Sequence, residues 1–189
     1  LTENRMRPVA VWTAGGEVDV ESDGPHAVED DAALTLLARA IASCSTADID
    51  RARTGKSRGE ATEVGMLTAA ELLGADTAVA ERERRRLALF RFDPSLRLMT
   101  TADAHEGGIV LSTKGAPESV LARTRRIVHA DGSRVPLDAL EEQQVRATID
   151  RYAARGLRIL AVATRTLEPG MPVPADRETA ELDLDLLGL

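Results

Sequence analysis

A strand that must stop and a helix that must start within a few residues constrains this chain more tightly than anything else in it. Residues 108–113 read Gly-Ile-Val-Leu-Ser-Thr, a β-rich run, and Lys114-Gly115 interrupt it. Ala116-Pro117-Glu118-Ser119-Val120-Leu121 then puts proline at a first helical position with glutamate in the first turn. Lys114 therefore sits at a strand-to-helix junction. It is one of two lysines in a chain whose other 22 basic residues are arginines. An ammonium on a flexible stem, a glycine that lets another group approach the backbone, and the free N–H groups of a helix start suit a phosphate-bearing ligand. They suit an ordinary solvated turn equally well.

The rest of the chain is punctuated into hairpins and amphipathic helices. Val9–Trp12 and Glu17–Val20 flank Ala14-Gly15-Gly16 and predict an opening hairpin. Asp30 or Asp31 caps a helix in which Leu34, Leu37, Ala40, Ile41 and Cys44 recur at helical spacing. A polar loop, 46–59, leads to a second helix over Thr62–Leu73, stopped by Gly74. An Ala/Glu/Arg stretch, 77–86, precedes strands over Leu87–Phe92 and Arg97–Ala102, and its run Arg82–Arg86 reads as a solvated face. Asp131-Gly132 predicts a hairpin between residues 126–129 and 134–137. Asp138 with Glu141 resembles a capping box for a helix that ends at Gly156, and Leu157–Thr164 reads as a buried strand. A proline-rich loop, a short helix over 175–182 and a final strand, Leu184–Leu189, complete the chain. Hairpins interleaved with helices predict an α+β fold, an antiparallel sheet flanked by helices.

At 189 residues the length suits one domain. Aromatics are only 2%, namely Trp12, Phe90, Phe92 and Tyr152, so the core must be built from Leu, Ala, Val and Ile. A net charge of -7 argues against a broad nucleic-acid surface, and any polyphosphate must find a local cluster of cations. The single cysteine, Cys44, cannot form an internal disulfide; it fits a reducing compartment and a small core position. No apolar run approaches the length of a membrane span and no signal peptide is evident. The opening Leu1-Thr2-Glu3-Asn4, without an initiator methionine, suggests a segment excised from a longer chain.

Several local patterns point to chemistry that their surroundings do not support. Gly55-Lys56-Ser57 looks like the end of a phosphate-binding loop, but Asp50 stands where the first glycine belongs and no apolar strand precedes it. Asp183-Leu184-Asp185 resembles the paired aspartates of phosphotransferases, yet so little chain follows that it reads as a strand edge. His26, His105 and His129 lie in unrelated contexts and read as solvated loop residues rather than metal ligands.

Four separated segments fall into one known pattern: Gly59-Glu60-Ala61-Thr62-Glu63; Phe92 followed by Met99; Lys114-Gly115-Ala116-Pro117-Glu118; and Gly156-Leu157-Arg158-Ile159-Leu160-Ala161. In that order and spacing they resemble the nucleotide-binding domain of P-type cation-transporting ATPases, most closely the calcium-pump-like branch. The resemblance covers nearly the whole chain. Leu1–Asn4 looks like the sequence after the phosphorylated aspartate motif, and Leu184–Leu189 looks like the return toward the phosphorylation domain.

The resemblance implies a single domain over 1–189, with 1–8 and 184–189 as connecting segments. It implies that Phe92 stacks on adenine and that Lys114 lies near base and phosphates, with Gly115 and Ala116 lining the pocket floor. Thr62 and Glu63 hold the base side, Glu60 stands close by, Arg158 and Arg97 face the phosphates, and Leu160 packs below. One departure bears on Arg97: Asp93-Pro94-Ser95-Leu96 follows Phe92, where the calcium-pump pattern often carries charge.

From the residues alone, Phe92 shares strand parity with Phe90 and either ring can be core, whereas Arg158 shares a strand face with Leu160 and Val162 and stands out there. Glu63 could simply complement a helix dipole. The implied function is presentation of ATP, as Mg-ATP in the parent pump, to an aspartate in a separate domain. No catalytic or metal-ligating residue is expected within the chain, and the implied partners are the phosphorylation and actuator domains. The domain would lie on the cytoplasmic side of a membrane that it does not itself span. A non-catalytic interaction domain that keeps the fold without nucleotide is the competing reading, and a self-sufficient phosphotransferase is a second.

Overall fold

In the computed structural model, residues 6–20, 22, 31–49 and 57–189 are described. His26 and residues 50–56 of the polar loop, Gly55 and Lys56 among them, lie outside these. The chain opens with strands β1 (Ala10–Thr13) and β2 (Gly16–Asp19), paired antiparallel as a two-stranded ribbon. Helices α1 (Ala32–Ser43), α2 (Ala61–Leu72) and α3 (Val79–Arg85) follow. Then come β3 (Arg86–Asp93), β4 (Leu98–His105), β5 (Gly108–Gly115), α4 (Pro117–Leu121), β6 (Thr124–Val128) and β7 (Arg134–Pro136). Helix α5 (Ala139–Ala154), β8 (Ala161–Thr166), α6 (Arg177–Ala180) and β9 (Leu184–Gly188) complete the order.

Seven strands form one sheet in the order β3-β4-β5-β8-β9-β6-β7, every neighbouring pair antiparallel except β6 with β9. The α+β class with an antiparallel sheet flanked by helices is therefore what the chain adopts. Period-2 alternation assigns the faces. Val162 and Leu187 join α1 and α2 in one core cluster, while Ala161, Ala163 and Leu186 join Val120 of α4 and Val145 and Tyr152 of α5 in another. Leu34, Leu37 and Ile41 of α1 are buried, each worth about 1.5–3 kcal/mol of transfer free energy.

The local signals work as their chemistry requires. The Asp31 carboxylate accepts from the Leu34 N–H, and Asp138 accepts from Leu140 and Glu141 N–H groups. At the end of α5, Gly156 has φ +72, its N–H donates to the Ala153 carbonyl, and Leu157 N–H donates to Tyr152. This is a Schellman stop.

Some expectations are corrected. Residues 157–160 are not strand: β8 begins at Ala161, and Arg158 is exposed on the approach to it. Arg97 lies in a left-handed turn at φ +56 and β4 starts one residue later. Arg82–Arg86 is not a solvated face throughout. Arg82 is buried and donates to the Ser45 and Ala47 carbonyls at 2.7 and 2.6 Å, and Arg86 donates to Asp103 and the Ser43 carbonyl. Arg82 thereby satisfies carbonyls beyond α1, and Arg86 adds a second donor to the Ser43 carbonyl, which also accepts from the Ser45 N–H.

Asp183-Leu184-Asp185 marks the start of a strand as expected, and that strand, β9, lies inside the sheet between β8 and β6, with Asp185 buried between Arg126 (2.6 Å) and Arg134 (2.9 Å). His105 and His129 are half-buried rather than solvated, and His129 lies 3.1 Å from Glu141. Among the described residues, no cluster of three His, Cys, Asp or Glu could hold a metal ion, and no helix is long and apolar enough to cross a membrane.

Candidate functional site

Residue pairs Asp93–Leu98, Leu98–Gly115 and Gly115–Ala161 run across β3, β4, β5 and β8 at one end of the sheet. Every separated motif of the sequence except the α2 start therefore arrives at a single edge, and α2 closes over it. Gly59 sets α2 in place. Its φ of +118 needs no side chain, and a Cβ there would lie 2.7 Å from that of Ala47. Glu60 is the exposed N-cap residue, without a side-chain capping bond, and Glu63 falls in the first turn.

From that turn the Glu63 carboxylate meets the Lys114 ammonium at 2.5 Å, with the two side chains only 14% and 8% exposed. The other carboxylate oxygen of Glu63 accepts from the Thr46 hydroxyl at 2.7 Å. Burial pushes the Glu63 carboxyl up, but the Lys114 charge and the hydrogen bonds from Lys114 and Thr46 outweigh it and hold the group below its ordinary value. Beside the pair, Cys44 is buried and donates to the Met99 carbonyl at 3.4 Å. Burial pushes its thiol up to about 11, so it stays protonated and inert.

The two candidate phenylalanines are separated by a bulge. Phe90 pairs with Thr100 and Asp93 pairs with Leu98, so Arg91 and Phe92 together oppose the single residue Met99. The extra residue breaks the parity that the sequence suggests. Phe90 packs against Ala102 and Leu111, whereas Phe92 is left 55% exposed. Met99 is in turn the register partner of Lys114. Phe92 and Lys114 thus flank one methionine on one sheet face.

Gly115 is dictated by a close approach rather than by backbone freedom. A Cβ on it would lie 2.2 Å from the Arg97 carbonyl oxygen and 2.6 Å from the Leu98 side chain. That carbonyl also accepts from the Ala116 N–H at 3.0 Å, and Ala116 is the N-cap of α4. The Arg97 guanidinium pairs with Glu118 at 2.6 Å, both half-exposed, so this arginine braces the Lys114–Glu118 turn. Thr62, Arg158 and Leu160 line a separate, mostly apolar pocket of about 300 Å³ on the α1–α2 side of β8, where the Thr62 hydroxyl lies 3.3 Å from the Met6 sulfur. Arg158 makes no ion pair among the described residues.

The structure thus joins Glu63 with Lys114, sets Phe92 beside them through Met99, and groups Thr62, Arg158 and Leu160. Glu60 stays in solvent. Thr46, Met99 and Glu118 complete the surroundings without having been assigned roles from sequence. Met99 and Glu118 carried a signal, as members of the motif segments themselves, and Thr46 did not.

The chain matches the family described as the cytoplasmic domain N of P-type ATPases over residues 33–189. It belongs to that family. The N domain is 30% identical over its full length to a calcium-transporting ATPase of Bacillus subtilis. It is 27% identical, again over its full length, to the cation-transporting ATPase pma1 of Synechocystis. A putative plasma-membrane-type calcium-transporting ATPase 11 of Arabidopsis thaliana is 26% identical over 89% of the N domain. The N domain spans only 17–22% of the length of these relatives.

Proposed function

We propose that this N domain binds ATP at the Phe92–Lys114–Glu63 end of the sheet and presents it to an aspartate of a separate phosphorylation domain. The observation that carries the reading is the exposed Phe92 ring set across Met99 from a buried, anchored Lys114. An unburied aromatic face next to a fixed cation fits a purine attached to phosphates, and base–aromatic stacking contributes about 1–3 kcal/mol. Glu63 would hold the Lys114 ammonium and accept from the base. Gly115 and Ala116 would form the floor, and the ligand would extend from it toward the separate pocket of Thr62 and Leu160, where Arg158 would meet phosphate oxygens. Arg97 would contribute through the turn that it braces, and Glu60 would stand at the mouth.

The likeness to calcium-transporting ATPases supports a parent that couples ATP hydrolysis, with Mg²⁺ on the nucleotide, to cation transport across a membrane. The N domain would face the cytoplasm, and the phosphorylation and actuator domains would be its partners. The overall charge of -7 opposes a polyphosphate, so affinity is set by the local cations and should be modest, about 0.1–10 mM. An ATP titration followed by amide NMR on the wild type, Phe92→Ala and Lys114→Ala tests this. Saturable shifts near Glu63, Phe92 and Lys114, weakened in both variants, are expected. A folded spectrum that millimolar ATP leaves unchanged would instead identify a domain kept for contacts alone.

A further inference from the structure

A second concentration of charge lies on the same sheet face as Lys114, alongside the C-terminal half of α1. A groove of about 850 Å³ there is lined by Arg39, Arg84, Arg85, Arg134 and His105, with Glu106 as its one carboxylate. Its base includes Ser112 and Thr164, largely buried hydroxyl-bearing residues of β5 and β8 beside α1. On a chain of net charge -7 this sign is inverted.

The neighbouring carboxylates do not neutralise it. Arg84 and Arg85 both pair with Glu81, and Arg126 and Arg134 both pair with Asp185. Each acid is shared between two guanidiniums, which leaves one positive charge over at each place. Arg39 is exposed and makes no ion pair among the described residues. The cations do not converge on a point. From Arg85, next to the start of β3, to the Arg134 guanidinium on Asp185 of β9 is four strand spacings, about 19 Å.

We infer that this groove binds an acidic polypeptide segment, lying extended across β4, β5 and β8. A single phosphate or carboxylate can touch only one of the separated arginines, whereas an extended run of about six residues spans the distance and can place an acid at each. A long nucleic acid would project beyond the groove over the acidic remainder of the surface and be repelled there. Arg86, anchored on Asp103 and the Ser43 carbonyl, stands between the groove and the Lys114 end, so the two sites are separate.

The test is fluorescence anisotropy with a labelled peptide containing about six consecutive Asp and Glu residues, against its Asn/Gln counterpart, on the wild type, Arg39→Glu and the double variant Arg84→Glu/Arg85→Glu. Saturable binding of the acidic peptide is expected, weakened about tenfold or more in each variant and lost as salt rises from about 50 to about 300 mM. Amide shifts should fall on Arg39, His105, Ser112 and Thr164 and spare Glu63 and Phe92. Equal binding of the neutral peptide, indifference to both variants, or capture of a single-stranded oligonucleotide in preference to the peptide would overturn the inference. All three arginines are exposed, and the double variant keeps the test open if Arg39→Glu fails to fold. An ATP titration of the same samples reads the other end of the sheet, so failure of one site is distinguishable from failure of the other.

Discussion

The Lys114 ammonium is held 2.5 Å from the Glu63 carboxylate by two elements distant in sequence, the end of β5 and the first turn of α2. The pair both ties α2 onto the sheet and fixes the cation that a nucleotide would meet. Removing one partner leaves the other charge largely out of water, which costs more than the pair itself contributes. Lys114→Met should therefore lower stability by about 2–4 kcal/mol, and Glu63→Gln in the same background should restore part of it. Urea denaturation of the two single variants and the double variant measures the coupling; additive losses would deny it.

The depressed Glu63 carboxyl sets a pH window. A group whose folded value lies below its unfolded value contributes stability that is fully present above the unfolded value and is lost as pH falls through the folded one. Stability should hold from neutrality down to about pH 4.5 and then decline as Glu63 takes up its proton. Glu63→Gln should flatten that part of the curve. Thermal melts of both proteins between about pH 3 and 7 check the difference.

Phe92 is exposed and Phe90 is not, so their truncations should separate binding from folding. Phe92→Ala is expected to leave the melting temperature nearly unchanged and to weaken ATP about tenfold. Phe90→Ala should destabilise by about 2–4 kcal/mol through the cavity left against Ala102 and Leu111. Calorimetric titration beside thermal melting reads both effects, and the reverse pattern would refute the assignment of the two rings.

Gly115 tolerates no side chain because backbone, not a flexible tip, occupies the space. Gly115→Ala must push the Arg97 turn away from β5 and should cost about 2–3 kcal/mol. Amide shifts concentrated on Arg97, Leu98 and Ala116 would report the displacement, and a spectrum unchanged there would contradict it.

How much of this could be read in advance depended on range. The α1 cap at Asp31, the Schellman stop at Gly156 and the Pro117 start of α4 are settled by residues within one turn, and the sequence states them openly. The Lys114 motif was legible for the same reason. Three other features were not. The bulge that frees Phe92 is a property of a strand pair, and neither strand carries it alone. The interior place of β9 rests on a parallel pairing with β6, about sixty residues away, which no local pattern encodes. Arg82 looks solvated in the run Arg82–Arg86 because its acceptors, the Ser45 and Ala47 carbonyls, lie in a different part of the chain.

Trp12 and Leu189 exchange reciprocal backbone hydrogen bonds at 2.9 Å, and the Trp12 carbonyl packs so close to Gly188 that a Cβ there would lie 2.1 Å from it. Mechanically, tension applied between β1 and the end of β9 falls on that stitch and on the apolar packing of Val11 and Trp12 around β9. The load path does not cross β3, β4 or β5. A pull at the corner near Trp12 should therefore reach the Phe92–Lys114 end only through β8 and leave the pairings of β3, β4 and β5 in place.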